Sequence, residues 1–337
     1  MNARAVTIFD ATLRDGSHAI RHQFTLAQVQ AIASGLDAAG VASIGVGHGD
    51  GLGGSSLQLG TSLHADDELI AAAAGALTRA RLAVTLVPGI GTKDHLRRAA
   101  ELGARLVRVA THCTEADVSV QHIALARELG LDVHGDLMMP HLADPRSLAE
   151  QAEMMASAGA QGVHVMDSAG ALVPDAVRSR IAAMRERLGP HVLLGVHMHD
   201  NLSLAIANTL AGIDEGATLA DACLVGLGAG AGNARTEVLA AVLSKLGIET
   251  GLDVFALQDL ADAVVRPIGA PVIDRLTATL GYAGTPSSLL AAAQRAAERF
   301  GVDPRDVLVG LGRRGAVTGQ DDLALELAGQ LAQAGTR

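Results

Sequence analysis

Two histidines separated by one residue, His197 and His199, are the side chains in this sequence best placed to bind a metal ion. They follow the apolar run 192–196, which is typical of a buried β-strand. Residues i and i+2 of a strand face the same side, so both imidazoles can converge on one point. Paired histidines can also satisfy each other's polar groups, but their position at the end of an apolar strand favours a metal site.

A second polar cluster near the start of the chain holds Arg14, Asp15 and His18. Asp15-Gly16 is a common turn dipeptide, so this segment taken alone predicts only a polar turn. Taken with His197 and His199, Asp15 completes a set of two histidines and one carboxylate, which leaves coordination positions open for substrate or water. Nitrogen and oxygen ligands without thiolate suit Mn²⁺, Mg²⁺, Co²⁺ or Zn²⁺, and they do not exclude a non-haem Fe(II) site.

The fold has to bring these distant segments together, and the apolar pattern indicates how. Short β-rich runs alternate with longer Ala- and Leu-rich segments eight times. We predict strands at Val6–Phe9, Val41–Val46, Leu82–Leu86, Leu106–Val109, Asp132–Leu137, Gly162–Val165, Val192–Val196 and Leu219–Leu224. We predict the intervening helices at Leu26–Ala39, Asp66–Arg79, Lys93–Leu102, Val118–Leu129, Pro145–Ala158, Pro174–Leu188, Leu202–Glu215 and Arg235–Leu246.

Alternating strands and helices imply parallel pairing, and eight units predict an α/β fold of the (β/α)8 TIM-barrel type. A doubly wound open sheet is the alternative. After about Gly247 the alternation stops. We therefore expect a catalytic barrel over residues 1–250 and a helical C-terminal subdomain over residues 251–337, with helices at Asp253–Val265, Ser287–Phe300, Pro304–Leu311 and Asp321–Ala332.

In such a barrel the active site lies at the carboxyl ends of the strands. Polar residues follow seven of the eight predicted strands, at Arg14–His18, Gly47–Gly51, Thr111–Glu115, Pro140-His141, Asp167-Ser168, His197–Asn201 and Gly226–Asn233. The last of these runs, GLGAGAGN, lacks the Lys-Ser/Thr of a P-loop and follows the eighth strand, so a dinucleotide site is not indicated. Close packing of its backbone over the barrel mouth is the better interpretation.

The remaining histidines carry weaker expectations. His48, His112 and His141 are expected to line the pocket as structural or hydrogen-bonding residues. The facing of His134, inside the fifth strand, is left open. The others are expected to be solvated: His64, His95, His122 and His191.

Composition narrows the classes of partner. The net charge of −10 argues against a nucleic-acid backbone as ligand, and the absence of Trp, with one Tyr and four Phe, leaves no platform for stacking bases. The two cysteines, Cys113 and Cys223, do not suggest a disulfide framework. No signal-like or membrane-spanning apolar run is present, so a cytoplasmic protein without membrane association is expected.

The motifs resemble those of the 4-hydroxy-2-oxovalerate aldolases, which share a metal-dependent superfamily with isopropylmalate synthases and hydroxymethylglutaryl-CoA lyases. The resemblance covers the whole predicted barrel and extends into the C-terminal region. It is carried by Asp10–Gln23 (DATLRDGSHAIRHQ), Gly47–Leu52 (GHGDGL), Val87–Gly91 (VPGIG), Val107–Asp117 (VRVATHCTEAD), Met138-Met139, Gly226–Ala234 (GLGAGAGNA) and Gly281–Gly284 (GYAG).

This resemblance implies a carbon–carbon lyase that splits a 4-hydroxy-2-oxo acid into pyruvate and an aldehyde, or runs in the direction of synthesis from pyruvate or 2-oxobutyrate. Asp15, His197 and His199 would hold a divalent ion, usually Mn²⁺, that contacts the substrate. Arg14 would stabilise the pyruvate enolate, and His18 would remove the 4-hydroxyl proton. Ser168 would contact the substrate carboxylate. An oligomer is also expected.

The resemblance further implies a partner, because family members typically pair with an acylating aldehyde dehydrogenase through the C-terminal region. Three positions depart from the family pattern. Pro286 stands where a tyrosine is usual, Asp200 follows the histidine pair in place of another histidine, and Asp136 occupies a strand position where an apolar residue is expected. We hypothesise that the missing tyrosine opens the aldehyde end to larger or more polar aldehydes, and that Asp136 adds a polar contact there.

Two other functions are compatible with the motifs. One is a Claisen-type acyl-CoA synthase or lyase of the same superfamily, although the glutamate usual in the glycine loop of isopropylmalate synthases is absent from Gly226–Asn233. The other is a scaffold subunit that has kept the fold and lost catalysis. The joint presence of Arg14, Asp15, His18 and the histidine pair argues against the scaffold.

Overall fold

A computed structural model describes residues 5–335, in which eight parallel strands close into a barrel. Each strand pairs with the next in sequence, and the eighth pairs with the first. The predicted (β/α)8 barrel is confirmed, and the open sheet is excluded. The strands are β1 Thr7–Leu13, β2 Ser43–Val46, β3 Arg81–Leu86, β4 Leu106–His112, β5 Asp132–Met138, β6 Gly162–Asp167, β7 Leu193–Met198 and β8 Leu219–Ala222.

The helices surround the barrel and then continue into the C-terminal region. They are α1 Leu26–Ala38, α2 Asp66–Ala74, α3 Lys93–Glu101, α4 Val120–Glu128, α5 Pro145–Ser157, α6 Pro174–Leu188, α7 Ala205–Asp214, α8 Thr236–Lys245, α9 Val254–Leu260, α10 Arg275–Ala283, α11 Leu290–Phe300, α12 Pro304–Arg313 and α13 Asp321–Gly335. Most helix limits fall within three residues of the prediction.

Two differences have local causes. Helix α2 ends at Ala74 instead of Arg79, because the Asp37 carboxylate accepts the N–H groups of Thr78 and Arg79 and holds the chain in a turn. Helix α10 was not predicted. It begins at an Asp274 cap, whose carboxylate accepts the Leu276 N–H at 2.8 Å. The cap stabilises the start of a helix shortly after Pro267 and Pro271, which had indicated a break in helical structure.

The C-terminal region has a hydrophobic core of its own, separate from the core between barrel and helices. It includes Leu280, Leu289, Leu308 and Leu311, all fully buried. Helix α9 packs instead into the barrel core through Leu257. The second core therefore begins later than the expected boundary at residue 250.

No helix in the described part of the chain, residues 5–335, is long and apolar enough to cross a membrane.

Candidate metal centre and reaction pocket

The carboxyl ends of the strands surround a cavity of about 270 Å³, which we call the reaction pocket. Side chains from both the barrel and the C-terminal region line it. The barrel contributes Arg14, Asp15, His18, Thr85, Met138, Ser168 and His199, and the C-terminal region contributes Pro286, Ser287, Ser288 and Thr318. The pocket therefore forms where the two cores meet.

Asp15, His197 and His199 come together, as predicted from their spacing. Asp15 and His199 line the reaction pocket, whereas His197 lies against them without lining it. One ligand atom from each lies within 4.8 Å of the others. Asp15 Oδ2 is 3.6 Å from His197 Nε2 and 4.0 Å from His199 Nε2. All three side chains are buried, so the cluster is shielded from bulk water.

Hydrogen bonds on the far side of each ring fix which nitrogen faces the cluster. His197 Nδ1 donates to Asp221 Oδ2 at 3.1 Å, and His199 Nδ1 donates to the Ala229 carbonyl at 3.3 Å. Both Nε2 lone pairs then point towards Asp15, which is the arrangement of a metal-binding histidine. Among the described residues, the buried His197 Nε2 has no hydrogen-bond partner. This orphaned acceptor, with the N/O donor set, fits a divalent cation.

The charge state of the cluster also suits a cation. Burial alone raises the pKa of Asp15, but the Arg14 guanidinium and the two imidazoles outweigh burial and hold that pKa well below its usual range. Burial lowers the pKa of His199 to about 4. Near pH 7 the cluster therefore offers an ionised carboxylate and a neutral His199 imidazole.

The glycine loop packs over the barrel mouth, as its sequence indicated, and it positions Asp15. The Asp15 Oδ1 accepts hydrogen bonds from Asn233 Nδ2 at 3.0 Å and from the Ala229 N–H at 3.2 Å. A Cβ at Gly228 would lie 2.8 Å from Asp15 Oδ1, so only glycine leaves room for these contacts. The role of Asn233 was not predicted, although it belongs to the GAGN motif.

Arg14 and His18 lie on the wall of the same pocket. Arg14 Nη1 donates to Asp15 Oδ2 at 2.9 Å, while its buried Nε has no partner among the described residues. That guanidinium keeps a donor available for a ligand oxygen. The His18 ring packs against Gly49, where a Cβ would collide with the imidazole.

Ser168 and Asp167, which were also predicted at a strand end, have different positions. Ser168 lines the reaction pocket, and its hydroxyl donates to the Met166 carbonyl at 3.2 Å. Asp167 is turned away, and its carboxylate accepts the backbone N–H groups of Ala171 and Leu172, each at 3.0 Å.

A network of charged residues inside the barrel was not predicted. We call it the arginine network: Arg108, Asp136 and Asp221, with His134 and His164 beside them. Arg108 is 1% exposed. Its Nε donates to Asp136 Oδ1 at 2.8 Å and its Nη2 donates to Asp221 Oδ2 at 2.8 Å. Since Asp221 also accepts from His197, this network orients one histidine of the candidate metal-binding cluster.

The suggestion that Asp136 adds a polar contact at the aldehyde end is wrong. Its carboxylate is fully buried against Arg108, and it is not among the residues that line the reaction pocket. His134 also faces this network, since its Nδ1 lies 3.3 Å from His164 Nε2. A charged residue inside each of strands β4, β5 and β8 was the available signal for the network.

The remaining histidines meet their expectations only in part. His48 and His141 are not among the residues that line the reaction pocket, and His112 lines an adjoining cavity instead. His48 Nε2 donates to the Gly60 carbonyl and His141 Nε2 donates to the Gly284 carbonyl, each at 3.0 Å, so both are structural. His122 is buried, not solvated.

Two of the residues that depart from the family pattern have different positions. Asp200 accepts the Ala205 N–H at 3.0 Å at the start of α7, whereas Pro286 is buried and lines the reaction pocket.

Comparison with known proteins agrees with this architecture. The HMGL-like family matches residues 5–264, and a DmpG-like communication domain matches residues 271–333. The carboxyl transferase domain of Rhizobium etli pyruvate carboxylase has the same fold, with a TM-score of 0.81 over 99% of this chain and 62% of that chain. Its sequence identity is 19%, so this likeness concerns the fold alone.

Curated relatives are much closer in sequence. A 4-hydroxy-2-oxovalerate aldolase from Thermomicrobium roseum is 56% identical over 323 residues, which covers 95% of this chain and 90% of the relative. 4-Hydroxy-2-oxovalerate aldolase 1 from Cupriavidus metallidurans is 52% identical over 336 residues, covering 99% and 97%. The chain therefore belongs to the HMGL-like family and, within it, to the 4-hydroxy-2-oxovalerate aldolases.

Proposed function

We propose that this protein is a divalent-metal-dependent class II aldolase that cleaves 4-hydroxy-2-oxo acids into pyruvate and an aldehyde. One observation carries the proposal: the orphaned His197 Nε2 converges with Asp15 and His199, and the latter two line a pocket that also holds Arg14 and His18. The identity of 50–56% to aldolases over nearly the whole chain supports the same reaction.

Asp15, His197 and His199 would hold the ion. A divalent cation there supplies Lewis-acid polarisation of the 2-oxo group. For its identity we propose Mn²⁺, which the family resemblance implies, with Mg²⁺, Co²⁺ and Zn²⁺ as the other candidates for an N/O donor set.

His18 acts as the base in this proposal. Its imidazole takes the proton of the 4-hydroxyl group, the C3–C4 bond breaks, and the C4 oxygen becomes the aldehyde carbonyl. The electron pair of the broken bond passes to the 2-oxo group as the pyruvate enolate. One proton then enters at C3 to give pyruvate, and the proton that His18 took is given up, so the atoms of the acid are divided between the two products without an added reactant.

Arg14 stabilises the negative charge that develops on the 2-oxo oxygen. Its Nε is buried without a partner among the described residues, and its Nη1 is held by Asp15, so the guanidinium is fixed before substrate arrives. We assign Ser168 to the substrate carboxylate, because its hydroxyl lies on the pocket wall and can exchange the Met166 carbonyl for a ligand.

The test is a coupled assay of pyruvate release with several 4-hydroxy-2-oxo acids and several divalent metals. We expect metal-dependent pyruvate release that a chelator removes and Mn²⁺ restores. Release of coenzyme A from an acyl-CoA, without pyruvate formation, would instead point to a Claisen enzyme. Absence of any metal-dependent turnover would point to a scaffold.

The C-terminal helices α10–α13 are the proposed contact for an acylating aldehyde dehydrogenase. The match of residues 271–333 to a DmpG-like communication domain supports this. Large apolar side chains are also exposed there, including Val272, Tyr282 and Leu325. Co-expression with such a dehydrogenase should give a complex in size-exclusion chromatography, and Tyr282→Asp should weaken that complex without loss of pyruvate release.

A further inference from the structure

The backbone of Val225, immediately before the glycine loop Gly226–Asn233, adopts a left-handed conformation with φ 59° and ψ 4°. Among the described residues other than glycine that have a positive φ, Val225 is the only β-branched one. A branched Cβ is crowded in this conformation, so it persists only where neighbouring contacts hold it. Val225 is 2% exposed, and those contacts therefore come from the protein interior.

One contact that holds Val225 comes from Glu237, the second residue of α8. The Glu237 Oε2 accepts the Val225 N–H at 3.1 Å, across twelve residues of chain. Glu237 is buried, and a buried carboxyl group is unfavourable unless it is hydrogen-bonded. It does not line the reaction pocket, and the proposed reaction gives it no part. The contact with Val225 is therefore the feature that accounts for its position.

The two ends of the glycine loop are held in different ways. At the far end the contact is between backbone groups, since the Gly232 carbonyl accepts the Asp200 N–H at 2.7 Å. At the near end the Val225 N–H is held by the side chain of Glu237. A substitution at Glu237 can therefore release the near end, whereas the far end keeps its backbone contact.

The near end of the loop leads directly to the candidate metal cluster. Asn233 Nδ2 donates to the Leu227 carbonyl, two residues after Val225, and to Asp15 Oδ1, each at 3.0 Å. The Ala229 N–H, four residues after Val225, donates to the same carboxylate oxygen at 3.2 Å. A displacement of the chain at Val225 would therefore move both donors that orient Asp15.

We propose that Glu237 is a positioning residue for the metal site. It holds Val225 in the left-handed conformation, which sets the near end of the glycine loop and, through that loop, the orientation of Asp15. The inference rests on the proposed metal-dependent aldolase function, and it gives Glu237 no contact with metal or substrate. Loss of the carboxylate lets Val225 relax, so the site binds a divalent ion more weakly while the barrel stays folded.

The test measures the affinity of the full chain for Mn²⁺ by competition with a chelator, together with pyruvate release and the unfolding temperature. Glu237→Ala should weaken Mn²⁺ binding by about 10–100-fold, the range for residues that orient a metal ligand. Glu237→Gln should restore binding, because the amide oxygen can still accept the Val225 N–H. Glu237→Asp should resemble Glu237→Ala, because its carboxylate is one carbon shorter and withdraws from that N–H.

Val225→Gly separates a positioning role from a purely structural one. Glycine adopts a positive φ without steric penalty, so the loop no longer needs Glu237 to hold this conformation. The double variant with Val225→Gly and Glu237→Ala should therefore bind Mn²⁺ more tightly than Glu237→Ala alone. Its unfolding temperature should nevertheless be lower, because Val225→Gly deletes a buried side chain. Two unrelated structural defects would instead weaken Mn²⁺ binding further.

Asp37→Ala is the matched control. Asp37 is 4% exposed and Glu237 is 7% exposed, and the Asp37 carboxylate also accepts backbone N–H groups, those of Thr78 and Arg79. Because these contacts join α1 to the segment after α2, Asp37→Ala should lower the unfolding temperature and leave the affinity for Mn²⁺ unchanged.

Four results would overturn the proposal. They are parent-like Mn²⁺ affinity in Glu237→Ala, an equal loss of affinity in Asp37→Ala, a double variant that binds no more tightly than Glu237→Ala, and full affinity in Glu237→Asp with loss in Glu237→Gln. A parent protein that binds Mn²⁺ without releasing pyruvate would overturn the proposed function and leave the positioning role intact. A parent protein that binds no divalent ion would overturn both.

Discussion

The two ends of the reaction pocket differ in how firmly hydrogen bonds and burial hold their side chains in place. At the metal end, Asp15 accepts hydrogen bonds from Arg14, Asn233 and the Ala229 N–H, and each histidine is oriented by a separate acceptor. At the aldehyde end, Ser288 and Thr318 are exposed, and they belong to loops of the C-terminal region. In the proposed reaction the barrel would therefore position the reacting groups, and the loops of the C-terminal region would bound the aldehyde.

The largest effect should come from removing a ligand at the rigid end. Asp15→Asn deletes the ionised carboxylate that faces both imidazoles, so bound metal and pyruvate release should fall to background. Metal content of the purified protein, measured alongside turnover, checks this. Asp200→Asn is the control, since an asparagine can still accept the Ala205 N–H and start α7. Full metal content and activity in Asp15→Asn would refute the assigned metal site.

Arg14→Lys should have the next largest effect. A lysine keeps the charge but does not reproduce the guanidinium, whose Nη1 is held by Asp15 while Nε remains available. We expect a fall of about 10²–10³-fold in kcat, as for the loss of an oxyanion donor, with metal content unchanged. If metal content fell in parallel, Arg14 would be acting mainly through Asp15.

A site residue could be predicted from the sequence where its position depends on geometry within one strand, and not where it depends on contacts between separate strands. The strand period of two and the barrel rule were sufficient to bring Asp15, His197 and His199 together, because each depends on local geometry and on which end of a strand a residue follows. The pocket residues Arg14, His18 and Ser168 were placed for the same reason.

The arginine network was not predictable in this way. The contacts of Arg108 with Asp136 and Asp221 depend on the stagger of strands β4, β5 and β8 across the barrel. Single-strand patterns do not encode that stagger. A charged residue in an apolar strand was visible, but its partner was not, and Asp136 was therefore assigned to the wrong place.

Asp221→Asn tests whether the network underneath contributes to the rigidity of the metal end. The loss of the acceptor charge for His197 Nδ1 should weaken metal affinity by about 10–100-fold, as for other residues that orient a metal-binding histidine. Competition with a chelator measures the affinity. Asp136→Asn is the matched control, because Asp136 contacts Arg108 from an equally buried position but does not contact His197. Equal loss in both variants would indicate general damage to the barrel interior.

Pro286→Tyr should have the smallest effect, and it probes the aldehyde end. Pro286 has φ −65° and ψ 142°, an extended conformation that tyrosine adopts without strain, so the backbone should tolerate the change. A tyrosine ring would narrow the reaction pocket, which Pro286 lines. We expect kcat/KM for an eight-carbon 4-hydroxy-2-oxo acid to fall by up to about tenfold, while that for the five-carbon acid is little affected.

Pro286→Ala is the control for that variant, because it removes the proline ring without filling the reaction pocket, and its preference for chain length should match that of the parent protein. Unfolding temperature should be compared in all three proteins, since a change confined to the neck leaves both cores intact. If Pro286→Tyr slowed the short and long acids equally, the aldehyde end would have to be as rigidly tied to catalysis as the metal end. The contrast between the two ends would then disappear.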